Sequence, residues 1–198
     1  MVSAALNVGP PRAEAVVIGG SAGSVAALGA LLPGLPADFP PVMVVVHVLP
    51  SSTYPLANVF APNCAVRVVE AEPGAPIERG KVYFAPADYH LLVEPSRCLS
   101  LSIEPPVHFS RPAIDVLFES AAEAYGPDLL GVVLTGASPD GARGLRAVVD
   151  RGGSAIVQDP ATAEVSIMPA AALAAVPEAS VAELGAVLSE LCAWSKRQ

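Results

Sequence analysis

Short apolar runs broken by turn residues set the pattern of the first third of the chain. Ala15–Ile18 is apolar throughout and stops at Gly19-Gly20-Ser21, and Val42–Val48 is β-branched and bounded by Pro40-Pro41 and Pro50. Runs of this length, without polar alternation, read as strands buried on both faces. Val66–Glu70 adds a third strand. Between them, Ser24–Leu32 reads as a helix closed by Pro33-Gly34. Tyr54-Pro55 opens a short helix to about Ala61, with proline suited to the first turn.

The middle of the chain changes character. Lys81–Ala85, His90–Glu94 and Leu99–Ile103 are short strand-like runs separated by Pro-Ala-Asp and Pro-Ser-Arg turns, a spacing that suggests antiparallel hairpins. Helical spacing then returns in Ala113–Tyr125, where Ile114, Leu117, Phe118, Ala121, Ala122 and Tyr125 share a face. Leu129–Thr135 reads as a strand, Asp140–Asp150 as a helix, Ser154–Gln158 as a strand and Met168–Ala175 as a helix. Ser180-Val-Ala-Glu183 has the form of a capping box and starts a last helix to about Lys196. The alternation predicts an α/β fold: a doubly wound, mostly parallel sheet with helices on both faces and an antiparallel hairpin insertion. Residues 1–14 read as a flexible N-terminal tail and residues 15–198 as one domain.

Composition raises one competing class. The chain is 53% hydrophobic and 15% charged, and Ala15–Ala37 and Phe39–Val66 contain no Asp, Glu, Lys or Arg. A membrane-spanning helix needs about 20 uninterrupted apolar residues, and glycine and proline break these stretches well before that. No basic start followed by an apolar stretch marks a signal peptide. Three scattered cysteines (Cys64, Cys98 and Cys192) fit a reducing compartment, so a cytoplasmic protein without membrane insertion is expected. A net charge of −8 with no Lys/Arg cluster argues against a nucleic-acid partner. No His, Cys or carboxylate group has metal-ligand spacing, and no metal or cofactor is expected.

Candidate chemistry gathers at strand ends. Gly19-Gly20-Ser21-Ala22-Gly23 satisfies G-x-S-x-G, a tight strand-to-helix turn that leaves a serine hydroxyl exposed above the sheet. The amides after Ser21 open the next helix and favour negative charge there. A plain glycine turn or a phosphate loop would share these glycines, but G-x-G-x-x-G and a Walker lysine are missing. His47 ends the second strand, and Asp140 follows the strand Leu129–Thr135, in the expected first turn of the next helix. In a parallel sheet the carboxyl ends of the strands form one rim, so all three residues are expected over the same space. Asp159, after Ser154–Gln158, competes with Asp140 for the role of acid. His90 and His108 read as structural, and Asp115 as a residue that caps its helix or pairs with Arg111.

These segments, taken in order, resemble the catalytic domain of CheB-type chemotaxis methylesterases over roughly residues 15 to 190. The resemblance rests on Ile18-Gly-Gly-Ser-Ala-Gly23, His47-Val-Leu-Pro50 and Gly80-Lys-Val-Tyr-Phe-Ala-Pro86. It continues in Arg111-Pro-Ala-Ile-Asp-Val-Leu-Phe118, Gly131-Val-Val-Leu-Thr-Gly136 with Asp140-Gly-Ala142, and Gln158-Asp-Pro160 followed by Met168-Pro169. It implies Ser21 as nucleophile, His47 as general base and Asp140, rather than Asp159, as the acid that orients the histidine. It further implies a methylated chemoreceptor as partner, hydrolysis of glutamyl methyl esters, and deamidation of receptor glutamines. The chain departs from the family pattern at Ala22, where many members have threonine, and at Ala137-Ser138, where Met-Gly is usual. With only about 14 residues before the first strand, a receiver domain in cis is not expected, and control would fall to a separate phosphorelay regulator. Two other readings remain open: a noncatalytic receptor-binding module and a small-molecule carboxylesterase.

Overall fold

A computed structural model describes residues 13–48 and 55–196. Among the described residues, seven strands form one sheet in the order β3-β4-β2-β1-β7-β8-β9, and every neighbouring pair is parallel. These are β1 (Ala15–Gly20), β2 (Val42–Val46), β3 (Arg67–Glu70), β4 (Lys81–Phe84), β7 (Leu129–Val133), β8 (Ser154–Gln158) and β9 (Ser180–Ala182). The remaining two, β5 (His90–Val93) and β6 (Leu99–Ser102), pair antiparallel as a separate hairpin. The expected α/β architecture with an antiparallel insertion is therefore observed.

Helices cover both faces. Helices α1 (Ser24–Leu31), α2 (Ala57–Phe60) and α6 (Leu184–Trp194) pack with Val16 and Ile18 of β1 in one core. Helices α3 (Ile114–Tyr125), α4 (Ala142–Asp150) and α5 (Ile167–Ala175), with the hairpin residues Leu91, Val93 and Leu99, share the other core with Ala15 and Val17. Successive β1 residues point to opposite faces, and all six are buried. Two cores against one central sheet account for the wholly apolar strands Ala15–Gly20 and Val42–Val46. Among the described residues, no helix is long and apolar enough to cross a membrane.

Three local expectations change. Lys81–Phe84 is not part of a hairpin: it pairs parallel with both β2 and β3 and sits inside the main sheet. Its length gave no sign of direction, and the segment after β3 returns the chain to the same end of the sheet. Ser180-Val-Ala is a three-residue edge strand on β8, and α6 begins only at Leu184, so no capping box forms. The Ser180 hydroxyl donates instead to Glu190 Oε2, at 2.7 Å. Asp140 lies ahead of α4, whose N-cap is Gly141, rather than in its first turn. Of the expected tail, residues 1–12 lie outside the described residues, as does Tyr54. Ala13 is buried, and Glu14 makes an ion pair with Arg97 at 2.6 Å.

Candidate active site

β1 lies at the centre of the sheet, with β2 on one side and β7 on the other. Connections run outward in both directions from this point, which is where open α/β sheets build ligand sites beyond their strand ends. The register pairs Gly20 with Val46, and the His47 amide donates to Gly20 O at 3.1 Å. Ser21 and His47 are therefore the first residues beyond two paired strand ends. On the other side the Ser21 amide donates to Thr135 O, at 3.0 Å, just past β7.

Asp140 comes to His47 from the loop after β7. The His47 Nε2–H donates to Asp140 Oδ2 at 2.8 Å. The imidazole is 11% exposed and the carboxylate 0%, so the histidine reaches the rim while the acid stays out of water. With Nε2 committed to Asp140, Nδ1 is the nitrogen left to accept a proton from a nucleophile.

The helix that holds Asp140 is not the one that follows it. α3 begins without a side-chain cap of its own. Its first amides, Ile114 N and Asp115 N, donate to Asp140 Oδ2 at 2.7 Å and to Oδ1 at 3.0 Å. Helix N-termini have unpaired amides and partial positive charge, and both favour an anion. Burial alone would push the Asp140 carboxyl up. The hydrogen bonds from His47, Ile114 and Asp115 outweigh it and hold the group below the usual carboxylate range.

Close packing without Cβ atoms brings these pieces together. A Cβ on Gly19 would lie 2.4 Å from Ile114 Cγ2, and one on Gly141 2.7 Å from the same atom. Ile114 thus fits between the end of β1 and the loop after β7, and its amide reaches Asp140. A Cβ on Gly136 would lie 2.7 Å from Met168 Sδ and 2.9 Å from Ser21 Cβ, so α5 packs directly beside the serine.

Buried polar residues that sequence reasoning passed over fasten the serine loop. Thr135 Oγ1 donates to Ala22 O at 3.0 Å and accepts from the Val165 amide at 2.9 Å. The Thr135 amide in turn donates to Gln158 Oε1 at 2.9 Å. The Ser24 hydroxyl donates to Ser21 O at 2.6 Å. The signal for these residues was their place in Leu-Thr-Gly and at the end of β8, where buried polar side chains need partners.

The remaining candidates resolve as follows. Asp159 accepts from the Ala161 amide at 2.8 Å in a local turn, and no contact joins it to His47. His90 is buried; it accepts from the Ala113 amide through Nδ1 and donates to Pro105 O through Nε2, each at 3.2 Å. Arg111 pairs with Asp88 at 2.6 Å rather than with Asp115. Asp115 caps a helix, but it is α4: its Oδ1 accepts from Gly141 N at 2.9 Å and Gly144 N at 2.8 Å. Its Oδ2 is buried without a hydrogen-bond donor, with His108 Nε2 at 3.5 Å and Arg143 Nε at 3.7 Å. His108, Asp115 and Asp140 thus bring possible ligand atoms within 4.8 Å of one another, although nothing in their sequence spacing signals it. The Arg143 guanidinium already supplies positive charge there. A cavity of about 430 Å³ lies among Leu130, Ser154, Ser180 and Trp194, at the opposite ends of β7–β9.

Comparison with known proteins gives a consistent answer. Residues 16–191 match the family described as CheB methylesterase. A Leptospira interrogans protein, provisionally named protein-glutamate methylesterase/protein-glutamine glutaminase, is 47% identical over 163 residues, covering 82% of this chain and 84% of that one. Protein-glutamate methylesterase FrzG of Myxococcus xanthus is 38% identical over 186 residues, covering 93% of this chain and 56% of FrzG. The crystal structure of the Thermotoga maritima CheB methylesterase catalytic domain is similar with a TM-score of 0.86 at 32% identity, covering 91% of this chain and 97% of that one.

Proposed function

The chain belongs to the CheB methylesterase family, and from that premise we propose that it is a serine hydrolase that removes methyl groups from glutamyl methyl esters of chemoreceptors. The observation that carries this reading is the hydrogen bond of His47 Nε2–H to Asp140 Oδ2, beside a strand end that presents Ser21. Ser21 Oγ attacks the ester carbonyl carbon as its proton passes to His47 Nδ1. The tetrahedral intermediate collapses, and methanol leaves with the proton returned by His47. Water, deprotonated by the same nitrogen, then attacks the glutamyl–Ser21 ester and releases a free glutamate side chain.

Asp140 keeps the imidazole in the tautomer with Nε2 protonated and stabilises the imidazolium that forms. The Ser21 and Gly136 amides are committed to Thr135 O and Val165 O. In this reading the Ala22 amide, next after the nucleophile and just ahead of α1, is an oxyanion donor. A glutamine amide passes through the same intermediate with ammonia as leaving group, so receptor deamidation belongs to the same proposal.

Methanol release from methylated receptor tests it. Wild-type protein is expected to release methanol, and Ser21→Ala to lose about 10³-fold or more of that rate. Undiminished release by Ser21→Ala would sink the mechanism. Faster turnover of free short-chain esters than of methylated receptor would favour a small-molecule esterase instead.

A further inference from the structure

Asp140 sits in a loop, and a catalytic acid on a loop needs something to hold it. Its own amide donates to Ser138 Oγ at 3.2 Å, a contact within the same loop. The firmer anchor is an exchange between two helices. α3 offers the Ile114 and Asp115 amides to the carboxylate of Asp140, which precedes α4. The start of α4 offers the Gly141 and Gly144 amides to the carboxylate of Asp115, which lies in α3. Neither helix has a capping side chain from its own N-cap residue. Each is capped by the acid from the other, and both carboxylates are fully buried.

We propose that Asp115 is a positioning residue of this site: by taking the Gly141 and Gly144 amides it fixes the loop that carries Asp140, and so sets the His47–Asp140 hydrogen bond. The packing leaves that loop little slack. A Cβ on Gly144 would lie 2.6 Å from Phe118 Cβ and 3.0 Å from Asp115 Cα, so α3 and α4 touch where the exchange takes place. Among the described residues, only Oδ1 of Asp115 accepts hydrogen bonds; Oδ2 has none. What the site draws from Asp115 is therefore an acceptor in a fixed place, which an asparagine carbonyl also provides. The charged groups around it are Asp140, His108 and Arg143, with Arg143 held by Glu119 at 2.6 Å.

The inference rests on Ser21 as nucleophile, so its test reads Ser21 directly and needs no receptor. A fluorophosphonate phosphonylates an activated serine with loss of fluoride, and the rate depends on the His47–Asp140 pair. Asp115→Asn and Asp115→Ala both remove the charge at position 115, so any difference between them reports the acceptor. Asp115→Asn is expected to label within about threefold of wild type. Asp115→Ala is expected to label about 10- to 100-fold more slowly, the scale of a small misplacement of catalytic groups. The acid limb of its rate profile is expected at lower pH than in Asp115→Asn, because the imidazolium has lost its fixed carboxylate.

Equal rates and equal pH profiles in the two variants, measured per folded molecule, would overturn the proposal. So would a loss in Asp115→Asn as large as that in Asp115→Ala. Should Asp115→Ala not fold, Asp115→Ser, whose hydroxyl can accept one amide, takes its place with an intermediate rate expected; equality with Asp115→Asn overturns the proposal again. A wild-type protein in which Ser21 does not label fails the active-site reading itself. One that labels but releases no methanol fails only the substrate.

Discussion

Two buried carboxylates meet at this site in opposite electrostatic circumstances. Asp140 is surrounded by donors and held below the usual carboxylate range. Burial pushes Asp115 up from its ordinary 3.8, opposed by the Gly144 amide and reinforced by the neighbouring Asp140 charge. The consequences for stability have opposite signs. The depressed group stabilises the fold above the ordinary carboxylate value, and that contribution is lost as pH falls through its lowered native value. The raised group favours the native state when protonated, so its contribution declines as pH rises from 3.8 to its native value. Asp115→Asn removes the second effect. Relative to wild type, its urea midpoint is expected to gain as pH rises from 3.8 to the raised native value of Asp115. A constant difference across that range would contradict the assignment. Asp140→Asn is expected to lower kcat by about 10⁴-fold while the protein stays folded, because the histidine then takes the wrong tautomer. Steady-state methanol release with circular dichroism on the same sample checks both halves.

Several of the closest approaches between elements here occur where a glycine lacks a side chain. Gly19→Ala would force its new Cβ against Ile114, so a cost of about 1–3 kcal/mol and a fall in turnover are expected together. Trimming Ile114 to alanine should relieve part of that cost, so the double variant loses less than the two singles combined. Thermal unfolding of all four proteins gives the coupling energy. The same contact marks how far sequence could be read. Ser21, His47 and Asp140 were legible because parallel strands put their carboxyl ends on one rim. That α3 rather than α4 would hold Asp140 was not legible, because it depends on which helix starts next to the loop in space. β4 and β9 were misplaced for a related reason: runs of four and three residues carry too little periodicity to show what they pair with. Asp115 stood out in its motif, but its partners lie across a helix–helix contact that spacing along the chain does not reveal.

At the scale of the whole molecule, the sheet separates two cores that have different relations to the catalytic rim. Phe118, on α3, and Leu191, on α6, are both buried, and truncating either to alanine is expected to cost about 2–5 kcal/mol. Only Phe118 packs at the α3–α4 contact that supports Asp140. Leu191→Ala should therefore lower the melting temperature and leave kcat per folded molecule unchanged, whereas Phe118→Ala should lower both. Calorimetry and active-site-normalised turnover would tell them apart, and equal kcat losses would argue against this division.

The place of β1 between β2 and β7 also governs when the protein can become an enzyme during its synthesis. A growing chain makes Ser21 and His47 early, on neighbouring strands, and could bring them side by side long before the rest exists. Their acid, and the helix amides that hold it, come only after the hairpin and α3 have been made. Until then β1 lacks its second neighbour and the histidine lacks its orienting carboxylate. A ribosome-bound fragment ending before α3 should thus carry the proposed nucleophile and base yet remain silent toward esters, and hydrolysis should appear only once β7 has paired with β1.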